Sequence, residues 1–213
     1  TGDVLAMAGR PTFNPNRYSA YPSSRWRNRA VSDAFEPGSI FKIVTAAAGI
    51  QENVVSPGEV LDCGQGRIEI SGTVINDHAV FDHLTFAQAV AKSSDIGVVR
   101  VAQRFGTEKF YASMKAFGFG TKTGLGLPGE TAGRLRDAGT WKPVEHATMA
   151  YGYGLSVSLL QLTRAYMAFA NDGEVLPLSF LKPEPQEIAG ERVFSPAVAR
   201  KVRAMLETVT QEG

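Results

Sequence analysis

Apolar residues run almost unbroken over positions 40–50, immediately after Glu36-Pro37-Gly38. Proline and glycine break whatever precedes them, so the pattern predicts a buried helix that begins at Ser39 and ends near Gln51-Glu52-Asn53. Residues 4–8 read as a short apolar strand. Residues 9–35 are rich in Pro, Asn, Ser and Arg and read as a long loop, a feature that in compact domains is often functional. Strand-like fragments such as Arg67-Ile68-Glu69-Ile70 fall within 54–83, separated by Gly, Asn and Asp turn residues. Positions 84–92 and 96–105 read as two helices meeting at Ser93-Ser94-Asp95, and another begins at Thr107-Glu108 and ends at the glycines after Phe117. A mainly apolar helix over 159–170 stops at Asn171-Asp172-Gly173. In the last helix Ser195 is the cap, Pro196 takes the first position, and Val198, Val202, Met205, Leu206 and Val209 recur on one face. No repeat or low-complexity tract interrupts this pattern. Helices outnumber strands, and the arrangement fits α/β or α+β.

Length and charge narrow the reading. A chain of 213 residues buries one sizeable core, so one domain spanning 1–213 is expected. Its net charge of +1, with acids and bases interspersed, gives no nucleic-acid surface. Arg17, Arg25, Arg27 and Arg29 read as a solvated loop, with contact to an anionic polymer as the other reading. Cys63 is the single cysteine, so no internal disulfide forms. No apolar run is long enough to span a bilayer. Asp77-His78 and Asp82-His83 read as polar turns rather than metal ligands, because three histidines without a ligand spacing do not define a site.

The chemistry is concentrated in Ser39-Ile40-Phe41-Lys42. Positions i and i+3 of a helix share a face, so Lys42 reaches the Ser39 oxygen. Serine becomes a nucleophile when a neighbouring base takes its proton, and a partly desolvated lysine is such a base. The motif alone is common. A second copy, Ser179-Phe180-Leu181-Lys182, sits between Pro177 and Pro183, which disfavour a helix, and reads as a surface loop. Taken alone, Ser39 is equally a helix-cap residue and Lys42 a lysine snorkelling from an apolar helix.

The surroundings of the first copy separate it from the second. The stretch from Arg27 through Ala34-Phe35-Glu36-Pro37-Gly38-Ser39 resembles the approach to the nucleophile in class B penicillin-binding proteins. So do Lys92-Ser93-Ser94-Asp95-Ile96-Gly97, Gly124-Leu125-Gly126-Leu127-Pro128-Gly129-Glu130 and Ala147-Thr148-Met149-Ala150-Tyr151-Gly152-Tyr153-Gly154-Leu155-Ser156. The opening Thr1-Gly2-Asp3-Val4-Leu5-Ala6-Met7 is similar to the first strand of that family's transpeptidase domain. The resemblance runs end to end, and its wording is closest to septal, cell-division transpeptidases. It implies an antiparallel sheet covered by helices on both sides, incomplete at the C-terminus. It also implies a longer parent with an N-terminal membrane anchor and a pedestal domain, acting at the extracytoplasmic (periplasmic) face of the cytoplasmic membrane.

By that resemblance Ser39 is the nucleophile, attacking the D-Ala-D-Ala carbonyl of a peptidoglycan stem peptide, and Lys42 is its base. Ser93 matches the serine of the second family motif, S-x-N, and relays protons. β-Lactams acylate the same oxygen. Other cell-division proteins are the further expected partners, and no metal or organic cofactor is implied. Asp95 stands where the family has asparagine, a substrate-binding position. An amide donates to a substrate carbonyl, whereas an ionised carboxylate only accepts. A carboxylate near Lys42 also favours its ammonium and weakens it as a base.

Lys122-Thr123-Gly124 spells the family's third motif but follows a helix and runs into Leu127-Pro128-Gly129, so it reads as a loop outside the site. Thr208-Val209-Thr210-Gln211-Glu212-Gly213 resembles the approach to the true K-[ST]-G strand, which is expected to be missing. Removing one oxyanion-hole donor typically costs about a hundred- to a thousand-fold in rate. Two rivals remain: a D,D-carboxypeptidase or β-lactamase of the same fold, and a non-catalytic β-lactam sensor or scaffold. Tyr151-Gly152-Tyr153-Gly154 reads either as the wall of a groove or as tight packing before a buried helix.

Overall fold

A computed structural model describes residues 1–181 and 189–212. Its eight α-helices are α1 (Arg29–Ser32), α2 (Lys42–Gln51), α3 (Phe86–Ala91), α4 (Asp95–Ala102), α5 (Thr107–Ala116), α6 (Pro143–Met149), α7 (Leu159–Ala170) and α8 (Pro196–Glu212). Six strands, β1 (Val60–Asp62), β2 (Arg67–Ile70), β3 (Thr73–Asn76), β4 (His83–Thr85), β5 (Glu174–Val175) and β6 (Glu191–Arg192), complete the described regular structure, with several 3-10 turns.

The centre is α2. Every residue from Lys42 to Ile50 is buried, and a helix that is apolar on all sides belongs in the interior. It packs against α3, α4, α5 and α8. The α8 face anticipated from its spacing is the one that packs inward: Val198, Val202 and Met205 are buried. Ser195 Oγ accepts the Val198 backbone N–H at 3.3 Å, as a cap should. α3 and α7 open with reciprocal capping boxes, Thr85 with Gln88 and Ser158 with Gln161. Each box satisfies two of the backbone donors a helix start leaves open.

The antiparallel character is observed, but among the described residues strands pair only in twos: β1 with β4, β2 with β3, β5 with β6. Leu61 opposes Leu84 and Ile68 opposes Ile75, so each longer ladder presents one apolar row to the core. The β2–β3 hairpin turns through Ser71 and Gly72, both at positive φ (50° and 81°), the geometry that suits the twist of a two-residue hairpin.

The apolar segment 4–8 is not a strand. Among the described residues only Asp3 of this stretch bridges, in parallel to Ser179, with Val4 N donating to Ser179 O at 2.8 Å; without a partner strand among them, an extended apolar run gains no ladder. Residues 9–35 are largely irregular, with two 3-10 turns and the single turn of α1. α6 went unanticipated, because Pro-Val-Glu-His-Ala-Thr-Met carries too little apolar periodicity to announce a helix. Residues 208–212, expected to approach a strand, continue α8; Gly213 lies outside the described residues.

Candidate active site

Ser39 lies in a 3-10 turn, Gly38–Phe41, that feeds directly into α2. The Lys42 backbone N–H donates to Ser39 O. With three residues per turn, positions i and i+3 eclipse, so the tighter turn stacks Lys42 over Ser39 more directly than an α-helix does. Ser39 is exposed, whereas Lys42 is 2 % exposed. Among the described residues no hydrogen bond joins the Ser39 hydroxyl to the Lys42 amine, whose partners are Ser93 and Asp95.

Three contacts fasten this turn and the first part of α2 to residues more than a hundred positions downstream. Gly38 N donates to Gly152 O at 3.1 Å, the Tyr166 hydroxyl donates to Ile40 O at 2.7 Å, and Thr45 Oγ1 donates to Ala150 O at 2.7 Å. Gly152 has φ +86°, and a Cβ there would stand 2.2 Å from Gly38 O and 2.8 Å from Phe41 Cβ. Only glycine lets the two backbones approach this closely. The Tyr-Gly-Tyr-Gly run packs tightly under the turn, and its two tyrosine rings, one half-buried and one exposed, lie 5.6 Å apart.

Lys42 Nζ meets three oxygens. It donates to Ser93 Oγ at 2.8 Å, to the Ser93 carbonyl oxygen, and to Asp95 Oδ1 at 2.6 Å. Ser93 and Asp95 come from the junction of α3 and α4. Ser93 sits at φ +56°, a left-handed conformation that is uncommon for serine and costs on the order of 1 kcal/mol. That conformation turns both Ser93 oxygens toward one ammonium. Ser94 then caps α4, its Oγ accepting the Gly97 N–H at 2.9 Å.

Sequence reasoning set Asp77 aside as a turn residue, yet it organises this junction. Its Oδ1 accepts from Asp95 N at 2.6 Å and Ile96 N at 3.1 Å, and its Oδ2 accepts from Ser94 Oγ at 2.6 Å. The available signal was a carboxylate just after a strand, and nothing in sequence spacing connects it to a helix start eighteen positions on.

Burial drives the Lys42 amine below its ordinary value, against the hydrogen bond and charge of Asp95 and the charge of Asp77, which pull it upward. The aspartate at position 95 therefore acts as expected on electrostatic grounds: it favours the ammonium. Burial, then the charge of Asp95 and the neighbouring Tyr153, push the Tyr151 hydroxyl up to about 12. Tyr151 thus stays protonated beside Asp95.

The remaining candidates lie elsewhere. Lys122-Thr123-Gly124 is a loop: Thr123 N and Oγ1 both donate to Glu130 Oε1, a carboxylate that is itself buried. Ser179 bonds within its own turn, its Oγ donating to Leu181 O at 2.7 Å; Lys182 lies outside the described residues. Asp62 joins Asp82 and His83 with ligand atoms within 4.8 Å of one another, but all three are exposed. Carboxylates and imidazoles at a solvated surface are held by water and by their own turns, as Asp62 is by Gly64 N at 2.7 Å.

Lys42, Ser93 and Asp95 are joined by direct contacts, and the exposed Ser39 stands one 3-10 turn before Lys42. Such a set suits nucleophilic acyl transfer, in which one group takes a proton and another returns it.

Residues 1–213 match the family model for the penicillin binding protein transpeptidase domain. The chain is 41 % identical over 215 residues to the probable peptidoglycan D,D-transpeptidase PenA of Neisseria gonorrhoeae, covering all of this chain and 36 % of that protein. It is 39 % identical over 213 residues to the peptidoglycan D,D-transpeptidase FtsI of Escherichia coli K12, again covering all of this chain and 36 % of the relative. The chain therefore spans about a third of the length of these curated relatives. Among solved structures it superposes with a TM-score of 0.84 on the TP domain of penicillin-binding protein 3 from Burkholderia pseudomallei. That match has 43 % identity and covers 85 % of this chain and 55 % of that one.

Proposed function

Because the chain belongs to the family of penicillin binding protein transpeptidase domains, we propose that it carries the acyl-enzyme half-site of a peptidoglycan D,D-transpeptidase. The observation that carries this reading is the buried Lys42 amine, bonded to Ser93 Oγ at 2.8 Å one 3-10 turn beyond an exposed Ser39.

Neutral Lys42 takes the Ser39 proton as Oγ attacks the carbonyl carbon between the two D-alanines of a stem peptide. The C–N bond breaks, and the proton returns through Ser93 to the departing D-alanine amine. Ser93 is placed for that relay, since its Oγ accepts from Lys42 and its own hydrogen has no acceptor among the described residues. An amine of a neighbouring stem then attacks the Ser39 ester, forming the cross-link and restoring the hydroxyl. A β-lactam ring opens on the same oxygen and leaves a stable ester.

The likeness to curated peptidoglycan D,D-transpeptidases supports the extracytoplasmic face of the cytoplasmic membrane as the proposed place of action; no described helix is long and apolar enough to cross a bilayer. The likeness to FtsI supports a septal role with cell-division proteins as partners.

Asp95 favours a second reading. With its carboxylate on the Lys42 ammonium, Asp95 opposes proton transfer, as befits a scaffold of this fold; a β-lactam sensor acylates stably but does not turn over stem peptide.

Intact mass after incubation of the full-length protein with benzylpenicillin tests both. An adduct that disappears in Ser39→Ala supports the acyl-enzyme, and turnover of a stem peptide separates transpeptidase from sensor. No adduct on the folded protein leaves the scaffold.

A further inference from the structure

We propose that Asp77 is a positioning residue of this site, clamping the first turn of α4 and so fixing the left-handed Ser93 turn that presents two oxygens to Lys42. The proposal rests on the acyl-enzyme reading for its kinetic consequence and on geometry for its substance.

Asp77 follows β3, at the end of the hairpin that begins with β2. Its backbone N–H donates to Gly66 O at 3.0 Å, which ties it to the start of the opposite strand. Its carboxylate takes two backbone N–H groups and one hydroxyl from three consecutive residues, Ser94, Asp95 and Ile96. A helix start leaves its first N–H groups open, and a carboxylate there is held by hydrogen bonds and by the helix dipole. One side chain thus closes what Ser94 alone leaves open.

The consequence falls on the residue just before. Ser93 is at φ +56° and its N–H donates to Val90 O at 3.1 Å, while Ser94 N donates to Ala89 O at 2.8 Å. α3 holds this turn from one side and Asp77 holds it from the other. A serine in the left-handed region persists where its neighbours over-determine it. Without Asp77 the Ser94–Ile96 segment is tethered on one side only, and Ser93 is free to relax toward φ < 0, carrying both oxygens away from Lys42.

Asp77 also bears on Lys42 by charge. The charges acting on that amine are Asp95 from α4 and Asp77 from the end of β3, both favouring the ammonium; the Tyr151 hydroxyl, after α6, bears on Asp95.

The test is the rate of Ser39 acylation by benzylpenicillin across pH in the full-length protein, with Asp77→Asn and Asp77→Ala, alongside the Lys42 Nζ titration read by nitrogen NMR. Asp77→Ala is expected to slow acylation about a hundredfold, the scale of a small misplacement of a catalytic group. Asp77→Asn keeps an oxygen for the Asp95 and Ile96 N–H groups. It should recover most of that rate with the ascending acid limb, set by Lys42 losing its proton, moved to lower pH, because one negative charge near Lys42 is gone. A merely structural residue leaves that limb in place.

Wild-type acylation rates in Asp77→Ala, or an unmoved limb in Asp77→Asn, overturn the proposal. If Asp77→Ala does not fold, Asp77→Asn decides alone. If wild type gives no Ser39 adduct, the acyl-enzyme reading has failed separately. The Lys42 titration then decides: both variants lose the same charge, so a further change in Asp77→Ala over Asp77→Asn sustains the positioning role, and equal changes overturn it.

Discussion

Asp95 Oδ1 stands 2.6 Å from Lys42 Nζ and takes the third hydrogen of an ammonium whose other two go to Ser93. An ammonium has three donors and no lone pair. In this state Lys42 is fully satisfied and has nothing with which to take a proton from Ser39. Reaction requires the amine to be neutral. Burial favours that form, and Asp95 and Asp77 oppose it.

Asp95→Asn removes the largest opposing influence. The Lys42 amine then falls further below its ordinary value, and the ascending acid limb of the acylation profile moves to lower pH. At neutral pH acylation should rise about tenfold, at the low end of what proton transfer by a positioned group contributes. Second-order acylation rates measured across pH check this, and an unchanged limb and rate would contradict it.

Lys42→Arg separates charge from basicity. A guanidinium can still meet Ser93 and Asp95 but does not deprotonate in proteins. Acylation is expected to fall by roughly a hundred- to ten-thousand-fold, while the melting temperature moves far less than that loss suggests. Parallel mass and melting measurements show whether the two effects divide in this way.

Gly152→Ala tests the fastening under the nucleophile. Its Cβ cannot fit 2.2 Å from Gly38 O, so either the turn or the loop must move, and φ +86° is costly for alanine in any case. A loss of about 1–3 kcal/mol in stability with a fall in acylation rate is expected. If the variant melts lower yet acylates normally, the loop supports the fold and not the nucleophile.

His146 supplies a pH dependence unrelated to the site. Its ring packs among Phe105, Phe110 and Trp141, donates from Nε2 to Ala102 O at 2.9 Å and accepts at Nδ1 from Thr107 Oγ1 at 3.0 Å. Burial holds its value below the ordinary 6.5, against the Ala102 bond. The unfolded chain therefore binds a proton that the folded chain refuses. Its contribution is whole above the ordinary value and is lost as pH falls through that value to the lowered one. His146→Phe should flatten the decline in melting temperature between neutral and mildly acid pH.

Much of this was legible in the sequence, for identifiable reasons. α2, α7 and α8 carry long apolar patterns with stops or caps, and these survive any tertiary context. Ser39, Lys42, Ser93 and Asp95 could be named because they lie in compact motifs, and the electrostatic sense of Asp95 followed from its charge. Distances across the chain were not legible. Asp77 acts on residues eighteen positions away, and Gly152 on residues more than a hundred away, through hairpin and loop closures that no local period encodes. The 4–8 segment has the composition of a strand, but among the described residues the one bridge lies just before it, at Asp3, since a strand needs a paired neighbour.

The mounting of Ser39 has a further consequence. Ser39 stands in the turn that leads into a helix buried from Lys42 to Ile50, so the proposed nucleophile has the molecule's centre for a foundation. Trimming Val44 or Ile50, residues that no substrate touches, should register first as a blunted reaction and only afterwards as a lower melting point. Here the core sets the aim of the chemistry, and resistance or sensitivity to an acylating drug can be tuned from the inside of the protein outward.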